Sequence, residues 1–381
     1  MTVSKQGGDA ELRVCLLHNY RESQQFSMKL YADRLGAALE AQNITVDRLR
    51  PTDVLPARWR SNWLGEKLDS YAGRFVHYPQ LAAAVQPADV YHIIDHGQAH
   101  LLTWLDARRT VVTCHDLMLL VLASGRLGRR NEFPVAMEIF RDISALLRRA
   151  AVVVADSAQT RNDLVHLVDV DPARIQVIFP GMNQPFAPDS AAREAGRRRW
   201  GLEGQLVVLQ VGNAFYKNIE ACLNVVARLR QRGLPVTFLR GGKRLSPRQL
   251  ACAEQLGISG DVRDLGGLPD GDLNMLYNTA DALLCPSLYE GFGWPPLEAM
   301  ACGTPVVCSR AGSLDEVAGP AALTADPEDH DHLADHLGAV LTDPALAAGL
   351  RQRGIEHAAR FDWNTTARQF VDVYQRVRES A

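Results

Sequence analysis

The chain has 381 residues, 47% of them hydrophobic and 22% charged, with a formal net charge of −3. That length exceeds one ordinary core and predicts two domains, and the composition is that of a globular protein. Without a basic excess the chain lacks the phosphate affinity of a nucleic-acid binder, so that class is set aside.

The first dozen residues, MTVSKQGGDAEL, are polar and lack an apolar signal core. No uncharged apolar stretch approaches the ~20 residues of a spanning helix, so the chain reads as soluble and cytoplasmic. From there short apolar runs alternate with helical patterns, which predicts parallel sheets covered by helices. In the first half the strands are read at 13–17, 90–94, 110–114, 151–155 and 175–179, with helices at 24–41 and 133–149. Residues 58–64, RWRSNWL, mix cations with tryptophans; they read as an ordinary loop, with a peripheral membrane contact as the weaker alternative. A polar stretch over 185–204, holding Pro188 and the cluster Arg197, Arg198 and Arg199, marks the domain connection, so the domains are drawn as 1–188 and 189–362. The second half continues with strands at 206–211, 236–239, 262–265, 282–285 and 305–308, and a last helix is read at 363–378. The fold class is α/β, two doubly wound Rossmann-like domains facing a cleft, with ligands expected beyond the carboxyl ends of the strands.

Chemistry-bearing residues fall in the loops after these strands. In RTVVTCHDLMLL, His115 follows a strand directly, with Asp116 placed to cap the next turn. In LQVGNAFYKNIE, Lys217 and Asn218 occupy the turn after a strand, and lysine is scarce here, five against 36 arginines. In CPSLYEGFGWPPLEAMACGTPVV, Gly291 and Gly293 permit a tight turn, Pro295 and Pro296 suit a first helical turn, and Gly303 and Pro305 end the helix. Glu290 is read on the loop before that turn and Glu298 inside the first helical turn, both bordering a helix N-terminus fit for a phosphate. Two histidine groupings, His92, His96 and His100, and His330, His332 and His336, read as structural, with no metal site. The seven cysteines form no C-x-x-C pair and read as reduced packing residues.

The acid, seven residues, acid spacing from Glu290 to Glu298 and the run EAMACGTPVV resemble the signature of the retaining GT-B glycosyltransferases, the group that includes glycogen, sucrose and lipopolysaccharide sugar synthases. The resemblance implies a retaining hexosyltransferase that takes a UDP- or GDP-sugar as substrate, with no cofactor and no metal, and passes the sugar to a hydroxyl of a glycan, glycolipid or small molecule. It implies Glu290 for the sugar hydroxyls, Lys217 for the departing diphosphate and His115 over the sugar, and it implies that the last helix, 363–381 to the chain's end, crosses back onto the first domain. It assigns donor binding to Gly212, Asn213, Asn218, Gly291, Phe292, Gly293, Trp294, Pro296, Leu297 and Glu298, the last holding the ribose.

The sequence departs from that family twice. Asn213, Ala214, Phe215 and Tyr216 stand where many members place an arginine, leaving Arg240, Lys243 or Arg244 to compensate or helix amides to hold the diphosphate. No glycine occurs from His18 to Leu35, where a glycine pair often admits the acceptor. The rival readings are a nucleotide-sugar epimerase or phosphorylase, a noncatalytic partner of another transferase, and a nicotinamide oxidoreductase. The last founders on Pro296, which occupies the third glycine of a G-x-G-x-x-G fingerprint.

Overall fold

The structure, a computed structural model, describes residues 12–19, 26–128 and 134–381. It forms two compact units, Met1–Asn183 with Asp362–Ala381, and Gln184–Phe361. The division falls a few residues before the boundary drawn from sequence. Residues 24, 25 and 133 of the expected helices, and residues 20–25 of the glycine-free stretch from His18 to Leu35, lie outside the described residues.

The first unit carries six parallel strands, β1 (Arg13–Leu17), β2 (Thr45–Leu49), β3 (Val90–Ile93), β4 (Thr110–Cys114), β5 (Val152–Ala155) and β6 (Ile175–Val177), in the order β2-β1-β3-β4-β5-β6. Alternate side chains serve opposite faces. Val14 and Leu16 join a core made with Tyr31, Leu35 and Leu39 of the helix Phe26–Glu40, while Cys15 and Leu17 enter the other core. The helix Trp363–Ser380 closes the first of these faces with Phe370, Val373, Tyr374 and Val377, all buried. Asp362 caps its start, accepting from the Asn364 and Thr365 amides at 3.0 Å each. His92 on β3 is spent on the same packing. Its Nδ1 meets the Tyr374 hydroxyl at 2.6 Å and its Nε2 the Thr113 hydroxyl at 2.8 Å, and burial pushes its pKa down to about 3.

The second unit repeats the plan with β7 (Leu206–Val211), β8 (Val236–Gly241), β9 (Val262–Asp264), β10 (Ala282–Cys285), β11 (Val306–Ser309) and β12 (Ala322–Ala325), all parallel, in the order β12-β11-β10-β7-β8-β9. Renumbered within the unit, that order is 6-5-4-1-2-3. Its connections run to opposite sides between β7 and β10, which opens a crevice at their carboxyl ends. In the first unit the order is 2-1-3-4-5-6, and the same reversal falls between β1 and β3.

Two strands escaped the sequence reading, β2 and β12, and both are sheet edges. Every residue of TVDRL is half-buried, and ALTA is half-buried except at its last position, so neither shows the continuous apolar run of an interior parallel strand. Segment 58–64 is not a loop: a 3-10 turn at Ala57–Trp59 leads into a helix at Trp63–Ala72. Among the described residues no helix is long and apolar enough to cross a membrane and no cluster of ligating side chains could hold a metal. All seven cysteines are free, and only Cys252 is not buried.

Candidate active site

The crevice between β7 and β10 collects the chemistry of the second unit. After β7 the chain turns through Gly212 (φ 101°), runs through a 3-10 turn at Phe215–Lys217 and enters the helix Ile219–Gln231 from Asn218. After β10 it reaches Ser287, Tyr289 and Glu290. Lys217 Nζ and Glu290 Oε1 meet at 2.7 Å, with side chains only 11% and 8% exposed. The Ser287 hydroxyl donates to the same carboxylate oxygen at 2.7 Å. Burial works against the lysine's charge, but the Glu290 carboxylate outweighs it and holds the ammonium above the ordinary lysine range. The lysine therefore keeps its charge. Burial and the Glu290 charge push the neighbouring Cys285 thiol up to about 11, so it is no nucleophile.

The backbone of Glu290 is pinned from the loop after β11. Ser313 Oγ donates to the Phe292 carbonyl at 2.6 Å, and the Ser313 amide donates to the Glu290 carbonyl at 3.2 Å. Gly312, at φ 63°, makes that approach possible: a Cβ there would lie 2.5 Å from the Glu290 nitrogen. The chain then turns through Gly293 (φ 104°) into the helix Trp294–Ala301. Pro295 and Pro296 have no N–H, so of the first four orphan donors only those of Gly293 and Trp294 exist. Phe292 is buried against Trp294, ring centroids 4.8 Å apart, and against Phe361 at 5.9 Å. Leu297 is fully buried and Pro296 also faces the core, so both support the turn through packing.

Glu298 is the fifth residue of this helix, not part of its first turn as read from sequence. The two prolines, following Trp294, begin the helix one residue earlier and carry Glu298 into the second turn. There the Tyr277 hydroxyl donates to its Oε2 at 2.5 Å. Burial raises the carboxyl's pKa, opposed by that hydrogen bond and by the Lys217 charge.

Asn213 is exposed at the loop tip. Asn218 adopts a left-handed conformation (φ 53°) and its side-chain amide donates to the Pro286 carbonyl at 3.1 Å, tying the β7 loop to the β10 loop. Arg240 does not replace the missing surface cation. Its side chain is only 1% exposed and donates to the Gly212 carbonyl at 3.2 Å and to Asp264 at 3.3 Å, so it props the glycine turn from beneath. Lys243 and Arg244 are exposed, and Arg244 is tied to the Asp264 carbonyl at 3.0 Å.

His115 lies in the first unit, after β4, with Nδ1 2.6 Å from Asp156 Oδ2 and Nε2 3.0 Å from the Ile94 carbonyl. Burial opposes its charge, but Asp156 and Asp95 prevail and its pKa is raised. Both ring nitrogens then donate, and Tyr31 packs edge-on at 4.8 Å. Asp116 caps the next turn by accepting from the Met118 amide at 2.9 Å. Beside them, after β1 and β3, Asn19 Nδ2 donates to Asp95 at 2.7 Å, and His96 Nδ1 lies 3.2 Å from the other Asp95 oxygen.

The structure thus brings Lys217, Glu290, Gly212, Asn218 and the 291–294 turn into the loops at one sheet end, with Glu298 on the helix that follows. Sequence reasoning missed Ser287, Tyr277, Gly312, Ser313 and Asp156, all of which hold a named residue in place. Ser287 precedes Glu290 by one turn of chain, and Gly312-Ser313 follows a strand directly, which are the only local signals they give.

A buried lysine–carboxylate pair, a glycine turn at a helix start and a second carboxylate can together take a ligand that carries both phosphate and hydroxyls. The family described as "Glycosyl transferases group 1" matches residues 192–359, and "Glycosyltransferase Family 4" matches residues 20–184. The chain is 45% identical over 311 residues to O-antigen chain mannosyltransferase B of Escherichia coli, covering 80% of this chain and 79% of that protein. Sucrose-phosphate synthase of Thermosynechococcus elongatus superposes over 97% of this chain and all of its own, with TM-score 0.74 and 22% identity. HepE of Anabaena, solved with UDP and glucose, covers 96% of this chain and 100% of its own at TM-score 0.71 and 18% identity. Twin parallel sheets, matched along nearly their whole length, are the GT-B fold, and the chain belongs to the group 1 glycosyltransferases.

Proposed function

We propose that the chain is a retaining transferase that moves a mannosyl residue from a nucleoside diphosphate donor, UDP- or GDP-linked, to a hydroxyl of a growing polysaccharide or glycolipid. One observation carries this reading: the buried Lys217–Glu290 pair, 2.7 Å apart in the crevice where the strand order reverses. The mannosyl assignment is supported by the name of the relative 45% identical to this chain, and the nucleotide by HepE, which was solved with UDP.

In the proposed reaction the bond from the anomeric carbon to the diphosphate oxygen breaks, and the acceptor oxygen bonds to the same face. The acceptor proton passes to the departing phosphate. Lys217 stabilises the charge that develops on the diphosphate, and it is already buried and fixed before the step. The amides of Gly293 and Trp294 share that load, and no cofactor or metal enters. Glu290, anchored by Ser287 and by its pinned backbone, accepts from sugar hydroxyls. Glu298 accepts from the ribose with the oxygen that Tyr277 does not hold. His115, held by Asp156, is the first unit's candidate group for a sugar hydroxyl.

The test is to offer purified protein a panel of UDP-, GDP-, ADP- and dTDP-sugars with saccharide acceptors, following thermal shift, transfer and the anomeric configuration of the product by NMR. Stabilisation by a GDP- or UDP-sugar and a product that keeps the donor's configuration are expected. An inverted linkage would remove the retaining mechanism, and indifference to every nucleotide sugar would remove the proposed function altogether.

A further inference from the structure

The helix Trp63–Ala72 is built inside out. Along a helix at ~100° per residue, Trp63, Leu64, Lys67, Leu68 and Tyr71 fall within one arc of about 140°. That arc faces solvent: Trp63 is 68% exposed, Leu64 59%, Leu68 56% and Tyr71 64%. The position turned into the protein carries the charge instead. Asp69 is fully buried, and its carboxylate accepts from the Val54 amide at 2.9 Å and the Leu55 amide at 2.5 Å. Nor can the helix rotate to hide its apolar face. Asn62 caps it by accepting from the Gly65 amide at 2.8 Å, and a Cβ on Gly65 would lie 1.7 Å from the Trp59 carbonyl oxygen, so this end is seated against the preceding turn.

The exposure is local. Of eleven large hydrophobic residues exposed among the described residues, seven lie between Val54 and Val76. Clustered apolar surface of this kind is unusual unless something covers it. Its chemistry selects the cover. Lys67 lies on the arc, with Nζ 4.1 Å over the Trp63 ring, and exposed Arg58 precedes it on the adjoining turn. The acids are elsewhere: Asp53 pairs with Arg60 at 2.7 Å, Asp69 is buried, and Glu66 projects from the side of the helix away from the arc. A face of Trp, Tyr and Leu edged by cations and clear of acids suits the headgroup region of an anionic bilayer. A second copy of the same face would set Lys67 and Arg58 against their own equivalents across a two-fold axis. The helix is only 10 residues long, so it lies along such a surface and does not cross it.

We infer that the Trp63–Ala72 helix, with the Ala57–Trp59 turn before it, docks the first unit onto an anionic lipid surface. This deepens the reading of a glycolipid acceptor, because it would bring the enzyme to a membrane-borne substrate. It stands apart from that reading in the test, since vesicle binding needs neither donor nor acceptor.

Flotation of the full chain with phosphatidylcholine vesicles, with and without 30 mol% phosphatidylglycerol (~30% is a working composition for an anionic leaflet), measures it. Wild-type protein is expected to float with the anionic vesicles, and added salt should weaken the association. Trp63→Ser with Leu68→Ser should cut binding at least ~10-fold, the loss expected from two apolar anchors, and Lys67→Glu should abolish the preference for anionic lipid. Transfer to a soluble saccharide should be unchanged in all of them. No flotation by wild type, equal flotation by the double variant, or a concentration-dependent dimer in ultracentrifugation that the double variant abolishes would each overturn the inference.

Discussion

The two sheets end in loops of different make. In the second unit the turns after β7, β8, β9, β10 and β11 each hold a left-handed glycine, at Gly212, Gly242, Gly266, Gly293 and Gly312. In the first unit none of the described turns immediately after β1, β3, β4 or β5 does, and those strands are followed by His18 and Asn19, by Asp95 and His96, by His115 and by Asp156. One end is made of backbone that can approach a ligand closely, carrying the buried Lys217–Glu290 pair. The other is made of side chains that hydrogen-bond one another. The same α/β frame supports both because loops vary while strands must pack. The contrast fits a diphosphate, which is recognised by amides and charge, on one unit, and on the other a partner recognised by directional side-chain groups.

The comparison breaks most readily at Lys217. Lys217→Ala should lower kcat ~10²–10³-fold, as loss of a positioned group for developing negative charge does. It should also cost about 3–5 kcal/mol of stability by stranding buried Glu290. Steady-state kinetics and urea unfolding read the two effects, and near-normal kcat would show that the diphosphate does not depend on this lysine. A smaller effect tests whether the glycines serve the ligand. Gly312→Ala places a Cβ 2.5 Å from the Glu290 nitrogen and should weaken donor binding ~10-fold, whereas Gly125→Ala in the first unit, with nothing within 4 Å, should cost only the left-handed strain of about 1–2 kcal/mol. Isothermal titration with the donor separates them, and equal losses would erase the distinction.

The smallest effect concerns His115. Its folded pKa is raised by Asp156, so the folded state holds more protons than the unfolded one once pH passes the ordinary value of 6.5. The stabilisation it contributes is complete below 6.5 and is lost as pH rises through the raised value. Thermal midpoints between pH 6 and about 9 should therefore fall in the wild type and flatten in His115→Gln. A parallel slope in both would assign the pH dependence to other groups.

Much of this was legible in the residues, for identifiable reasons. Interior strands such as β4 and β10 announce themselves because both of their faces must be apolar. The edges β2 and β12 are half-wet and carry mixed sequences, so periodicity could not separate them from loop. Glu290 and Lys217 were legible because each sits in a turn whose glycine or lysine is conspicuous. Tyr277 and Ser313 were not, since a hydroxyl's partner is set by tertiary contact and neither residue is unusual in its own segment. The inverted Trp63–Ala72 helix was misread because a loop of tryptophans and arginines and a helix with its apolar face outward look alike over seven letters.

The return of the helix Trp363–Ser380 to the first unit sets an order of assembly. A ribosome delivers Gln184–Phe361 whole before that helix exists, so the second unit can complete its core while the first still lacks the cover over Val14, Leu16 and Tyr31. The half of the chain that is made first is the half that finishes last. During that interval its open apolar face must be kept from other nascent chains.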